Sequence, residues 1–318
     1  MSGSLPGGLW VILATPFDAS GAVDHGSLER QVGLARSAGA DGVVALGVFG
    51  EAASLSAIEQ RAVARTVASC AGALPMVLGV AGRATAVAVE QALNALEGAG
   101  SAAGTVRLMV QVNSAAPAVV IRHLTAVHEQ TAADIVLQDY PATSGVYVTS
   151  AAVLEVLSAC PFVAAVKAEA PPTPAAIGEL TRARDIPVFG GLGGVGLVDE
   201  LAMGAAGAMT GFSHPEGLRA TIDAYRSGGF AAARSAWAPW LPLANFEAQT
   251  GIALALRKML LHRRGVLDHP AVRSPAATMP GSLMPLLELH LAAVPQPAFV
   301  DGPTTTPATE SHPLKETR

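Results

Sequence analysis

Phe162-Val163-Ala164-Ala165-Val166-Lys167 is a run of five apolar residues closed by a lysine. A run that short and that continuously apolar, with no polar alternation, is the signature of a strand in a parallel sheet covered on both faces. A helical pattern follows from about Thr173, and a second apolar run, Ile186 to Gly190, comes after it. Strand, helix and strand in that order imply parallel pairing.

The same alternation extends in both directions. Upstream, strands are expected at Leu9–Ala14, Gly42–Leu46, Met76–Val80, Thr105–Gln111 and Ile135–Gln138. Helical patterns separate them over Asp24–Ala38, from Leu55-Ser56 onward, over Thr85–Glu97 and over Pro117–Gln130. Asp24 or Ser27 can cap the first helix, and Gly39 can stop it. Ser56 and Glu59 have the spacing of a capping box. Downstream, Gly207–Thr210 is the eighth strand. Eight strand–helix units predict an α/β fold, a (β/α)₈ TIM barrel, with an open doubly wound sheet as the structural alternative.

From Phe230 to Arg264, and again over about Ser282–Ala293, the pattern is purely helical. The domain reading is therefore a barrel over residues 1–229, a C-terminal helical extension over 230–294 and a disordered tail over 295–318, where Pro, Thr and charged residues dominate.

Composition narrows the function classes. Of 318 residues, 51% are hydrophobic and only 4% aromatic, so the core is expected to be mostly small aliphatic side chains. The net charge of −5, without a strong Lys/Arg cluster, argues against a nucleic-acid partner. Two cysteines without CxxC spacing and no apolar leader fit a reduced, cytoplasmic setting. No apolar run reaches the ~20 residues that span a bilayer. No His or Cys spacing supports a metal, and no cofactor is expected.

In a barrel of this kind chemistry belongs at the C-terminal strand ends. Lys167 closes the sixth strand; a buried lysine without a partner has a lowered pKa and can attack a ketone. The plainer reading is that it pairs with Glu169. The second strand ends Gly47-Val48-Phe49-Gly50-Glu51, where backbone amides can approach a carboxylate. The fifth ends Gln138-Asp139-Tyr140-Pro141, with Gln138 and Tyr140 on one face and Asp139 on the other. Gly191–Gly196 matches G-x-G-x-x-G, but it lies too late in the chain for a dinucleotide fold and reads better as backbone lining a small pocket, possible phosphate included. Gly191 and, on the eighth strand, Met209 join the substrate-binding candidates. His214 follows the eighth strand and could face the mouth.

Taken together, these residues resemble the dihydrodipicolinate synthase and N-acetylneuraminate lyase family of Schiff-base aldolases. The likeness covers about residues 5 to 293. It rests on Ala14-Thr15-Pro16-Phe17, the Gly47-x-x-Gly50-Glu51 turn with Leu55-Ser56, the Pro141–Gly145 turn, Val166-Lys167, the Gly-rich end of the seventh strand, and Arg257-Lys258 to Arg264-Gly265 with Arg273-x-Pro275. The resemblance implies a TIM barrel with C-terminal helices, assembled as a homotetramer or dimer. It also implies that Lys167 forms an imine with pyruvate or another 2-oxo acid, whose carboxylate sits on the Gly47–Gly50 turn, with an aldehyde-type second substrate.

The chain departs from the family pattern at several positions. Val48 and Phe49 replace two threonines; Gln138 stands where the family has its strand-five tyrosine, with Tyr140 two residues on; Gln111-Val112-Asn113-Ser114 has no counterpart of the tyrosine after strand four; Thr143 aligns with the synthase's arginine. An amide cannot relay protons as a phenol does. Either Tyr140, Asp139 or Glu169 takes over that relay, or the chemistry differs. These departures point away from the lysine-biosynthesis enzyme and toward a divergent aldolase, lyase or dehydratase. The alternative is a catalytically silent homologue that binds a 2-oxo acid or sugar acid as a sensor or scaffold.

Overall fold

The computed structural model describes residues 5–295; the tail expected after Pro295 lies outside them. Eight strands, β1 (Gly8–Ile12), β2 (Gly42–Ala45), β3 (Met76–Val80), β4 (Arg107–Gln111), β5 (Ile135–Asp139), β6 (Val163–Ala168), β7 (Val188–Gly190) and β8 (Gly207–Thr210), pair in parallel in sequence order. β8 closes on β1, Trp10 lying opposite Met209. Closure excludes the open doubly wound alternative. The expected strands are recovered with shifted ends; β1, for instance, stops at Ile12 and not at Ala14, and β7 starts at Val188 and not at Ile186.

The barrel helices are α1 (His25–Ser37), α2 (Ala57–Ala71), α3 (Thr85–Ala99), α4 (Pro117–Thr131), the short α5 (Pro141–Ser144) with α6 (Ser150–Ala159), α7 (Thr173–Ala183) and α8 (Leu197–Ala202). Asp24, not Ser27, caps α1, its carboxylate accepting from the Ser27 amide at 3.0 Å. Ser56 and Glu59 form both arms of a capping box on α2. Sequence pattern placed only a turn between β5 and β6. It missed α6 because Ser-Ala-Ala-Val-Leu-Glu-Val-Leu-Ser-Ala is apolar around most of its circumference, which blurs the 3.6-residue period.

Alternation sends strand residues to two destinations. One set packs between sheet and helices, largely with Val, Leu, Ile and Ala. The other fills the barrel interior with Trp10, Ile12, Val44, Val77, Met109, Val136, Ala165, Phe189 and Met209. Aromatic side chains thus plug the interior despite their rarity, with Trp10 and Phe189 edge-on at 6.4 Å between centroids. Two residues further along each strand, the inward positions reach the mouth.

The extension comprises α9 (Pro215–Trp237), α10 (Leu241–Glu247), α11 (Ala253–Arg263) and α12 (Met284–Ala293). α9 runs across the boundary expected at residue 230 and breaks at Gly229, where φ is 67°. Buried charges fasten the extension to the barrel. The Lys258 ammonium is fully buried, donates to Glu51 Oε1 and, at 2.8 Å, to the Ala271 carbonyl, and lies over the Phe17 ring. The Arg273 amide donates to the other Glu51 oxygen at 2.9 Å. A second fastening joins the Ser213 amide and hydroxyl to Glu247, which also accepts from Arg257 Nε at 2.9 Å.

Behind β7, the Glu200 carboxyl occupies the space a side chain at Gly190 would need: a Cβ there would lie 1.8 Å from Glu200 Oε2. Thr173 donates to Glu200 Oε1 at 2.6 Å, while Oε2 has no partner among the described residues. Burial pushes this carboxyl up to about 7.

Two outcomes follow from these buried charges. Lys258→Met strands the Glu51 carboxylate, and removing one partner of a buried pair costs about 3–5 kcal/mol; equilibrium denaturation with urea should show that loss. For Glu200, the folded state keeps a proton that the unfolded chain releases from roughly pH 4.5 upward, so its contribution to stability falls as pH rises toward about 7. Glu200→Gln should therefore flatten the fall in stability measured between about pH 5 and 8 relative to the unsubstituted chain.

Candidate functional site

Lys167 and Glu169 are two residues apart on β6 and its continuation, and both share the inward face with Ala165. Both are about 95% buried, with side-chain exposures of 4% and 5%, and Lys167 Nζ lies 3.2 Å from Glu169 Oε2. On the neighbouring strand Gln138 pairs in register with Lys167, and its amide donates to the same Glu169 oxygen at 2.6 Å. The lysine is buried at the mouth as its position implies, but it is not partnerless: the pairing with Glu169 is present.

A cavity of about 490 Å³ opens beside this cluster. Its walls include Gly47, Val48, Glu51, Gly79, Met109, Gln111, Gln138 and Thr143, the rim carries Arg83, and Leu254, Pro275 and Ala276 roof it from the extension. Gln138 is the link, lining the cavity on one side and holding Glu169 on the other. Lys167 is one hydrogen-bonded side chain removed from the open volume.

The β2 turn presents backbone amides. Leu46 and Glu51, which flank it, take the left-handed φ values of 57° and 53° that non-glycine residues seldom adopt. Thr15 donates to the Gly50 carbonyl at 2.6 Å, and the Glu51 amide to the Val48 carbonyl at 3.1 Å. The Val48 and Phe49 amides have no backbone partner among the described residues. Phe49 is covered by Arg257, whose guanidinium carbon lies 4.0 Å from the ring centroid. The extension thereby contributes a buried cation to the far side of the turn.

The remaining candidates separate. Tyr140 follows Gln138 by two residues and stays half-buried beside the cluster; burial, then the Glu169 charge, raises its phenol, which also bonds Thr143. Asp139 alternates away, onto the face it shares with Leu137 in the sheet–helix layer, and its Oδ1 is buried without a partner. Burial, with Glu169 adding to it, pushes Asp139 up to about 6. Met209 is not brought to the cavity. It packs in the interior layer, fully buried, because the mouth position on that strand belongs to residue 211.

Gly191 serves Glu169: a Cβ on it would lie 2.3 Å from Glu169 Oε1. With Glu200 packed on Gly190, the Gly-rich end of this strand makes room for two carboxyl groups. His214 does not face the mouth. It is buried under the extension, 5.5 Å from the Trp240 ring, and burial pushes it down to about 3. Among the described residues no cluster of three or more His, Cys, Asp or Glu is placed to hold a metal, and no helix is long and apolar enough to cross a membrane.

Sequence reasoning passed over Arg83 and Arg257 as site residues. Arg83 had a signal, since it follows the third strand in Ala81-Gly82-Arg83 and so stands at a strand end. Arg257 entered only as part of the late Arg257-Lys258 motif, because only the docking of α11 brings it to the mouth.

Comparison with known proteins agrees with the barrel architecture. L-2-keto-3-deoxyarabonate dehydratase of Azospirillum brasilense is 29% identical over 274 residues, which are 84% of this chain and 88% of that protein. A 4-hydroxy-tetrahydrodipicolinate synthase of Porphyromonas gingivalis is 28% identical over 161 residues, half of this chain and 54% of that protein. Among solved structures, dihydrodipicolinate synthase from Rhodopseudomonas palustris superposes with a TM-score of 0.84 at 26% identity, covering 92% of this chain and all of that one. The model of the dihydrodipicolinate synthetase family matches residues 5–291. By that match over nearly the whole chain, the protein belongs to the dihydrodipicolinate synthetase family.

Proposed function

We propose that this protein is a Schiff-base-forming lyase acting on a small 2-oxo acid, with dehydration of a 2-oxo-3-deoxy sugar acid as its reaction. The observation that carries the reading is the buried Lys167–Glu169 contact of 3.2 Å beside a cavity whose opposite wall is the amide-bearing β2 turn. The dehydratase relative supports the choice of reaction.

In this reading the substrate's C1 carboxylate sits on the Val48 and Phe49 amides. Glu169 accepts a proton from the Lys167 ammonium, and the free amine attacks the C2 carbonyl. The carbinolamine loses water and leaves an iminium, which draws electrons from C3. Loss of a C3 proton gives the enamine; departure of the C4 hydroxyl as water, then hydrolysis of the imine, returns the amine. Glu169 is placed to carry these protons, because its Oε2 already touches Lys167 Nζ and the Gln138 amide. Gln138 orients it and Tyr140 is a further donor. Asp139 has no part in the reaction, since it faces away from the cavity. The enzyme is proposed to work in the cytoplasm as a homotetramer or dimer, for which the exposed Ile58, Tyr147 and Leu289 offer apolar contact surface.

Borohydride reduction with pyruvate should add one pyruvyl unit at Lys167, read by intact mass and peptide mapping. Absence of the adduct across a panel of 2-oxo acids would sink the imine reading, and ligand-induced thermal stabilisation without turnover would favour the silent homologue. Glu169→Gln should lower turnover of a 2-oxo-3-deoxy sugar acid by about 10²–10⁴-fold, the usual worth of a positioned proton carrier. Gly191→Ala should move in the same direction by displacing Glu169, whereas Asp139→Asn should leave the rate within about threefold, well short of a proton carrier's contribution.

A further inference from the structure

The cavity lies along the ends of β2, β3, β4 and β5, one side chain away from Lys167. Gln111 pairs in register with Gln138, and Gln138 with Lys167. At ~4.8 Å per strand the backbones of Gln111 and Lys167 are about 10 Å apart, so a 2-oxo acid of about five or six carbons held at C2 by the lysine places its far end beside Gln111.

That end is chemically distinctive. Gln111 is 8% exposed, lines the cavity, and its side-chain amide has no hydrogen-bond partner among the described residues. Its amide faces the open volume, where both its N–H groups and its oxygen are free to bond what the cavity receives. Arg83 stands exposed at the rim on the loop after β3, its carbonyl accepting from Asn113 at 3.0 Å and its guanidinium donating to the Ser144 carbonyl. A carbonyl is its only hydrogen-bond acceptor among the described residues, so its charge is not neutralised by an acid. The other charged residue in the wall, Glu51, has both oxygens occupied, one by Lys258 and one by the Arg273 amide. This part of the cavity wall therefore carries one positive charge without an acidic partner among the described residues and one amide open to the cavity. A guanidinium with free N–H groups matches a carboxylate better than a neutral hydroxyl.

We propose that Arg83 and Gln111 form a subsite for a second carboxylate, so that the preferred substrate is a 2-oxo dicarboxylic acid, its C1 carboxylate on the β2 turn and its terminal carboxylate on Arg83. This assignment rests on the imine reading and adds the chemistry of the substrate's far end. Arg83 is a specificity-determining residue here, remote from the reacting carbons.

The test is borohydride trapping at limiting concentrations of two six-carbon probes, 2-oxoadipate and 2-oxohexanoate, which differ in the terminal carboxylate. Pyruvate serves as the control that has no far end. The unsubstituted protein should form the 2-oxoadipate adduct at concentrations about 10–100-fold lower than the 2-oxohexanoate adduct, the worth of a charge-assisted hydrogen bond. Arg83→Gln, an exposed position, should collapse that preference and leave pyruvate trapping unchanged. Equal trapping of the two probes by the unsubstituted protein, or a preference that survives in Arg83→Gln, would overturn the subsite alone. No pyruvate adduct in the unsubstituted protein would overturn the imine reading and the subsite with it.

Discussion

At the barrel mouth one carboxylate oxygen holds two neighbours: Glu169 Oε2 takes the Lys167 ammonium at 3.2 Å and the Gln138 amide at 2.6 Å. An ammonium buried alone is costly, and a buried carboxylate no less so. Each ion is tolerated because the other is present, and the amide satisfies part of what remains. The arrangement fixes its surroundings in turn. Residue 191 must lack a side chain because Glu169 fills that space, and Gln138 is oriented so that one side faces the cavity.

The second constraint is how the mouth is finished. A barrel supplies strand ends, but the β2 turn sits between two residues at positive φ, and such backbone persists only where its surroundings hold it. Lys258 and the Arg273 amide hold Glu51, and Arg257 covers Phe49. The C-terminal helices thus roof the cavity and brace the turn, although they lie more than 200 residues away in the chain. Their fully buried charges also make the docking specific, because slippage would leave Lys258 or Glu247 without a partner.

The departures at Val48, Phe49 and Gln138 take on a common meaning in this setting. Replacing hydroxyl side chains on the turn leaves its backbone amides in place. Where the family resemblance expects a phenol, the Gln138 amide instead donates to the Glu169 carboxylate that touches the Lys167 amine.

The sequence by itself determined the alternation of eight short apolar strands with helices, the place of Lys167 at the end of the sixth strand, and the capping box at Ser56–Glu59, because all of these are local: they depend on period, spacing and neighbours within a few residues. It also carried enough motif order to indicate the family. The tertiary structure alone decided that the barrel closes, that Gln138 joins the Lys167–Glu169 pair, that Met209 is interior packing and His214 is buried under helices, and that Arg83, Gln111 and Arg257 converge on the mouth. Those outcomes join residues from different strands, and their distances are set by barrel closure and by the docking of the extension, neither of which leaves a local trace in the chain.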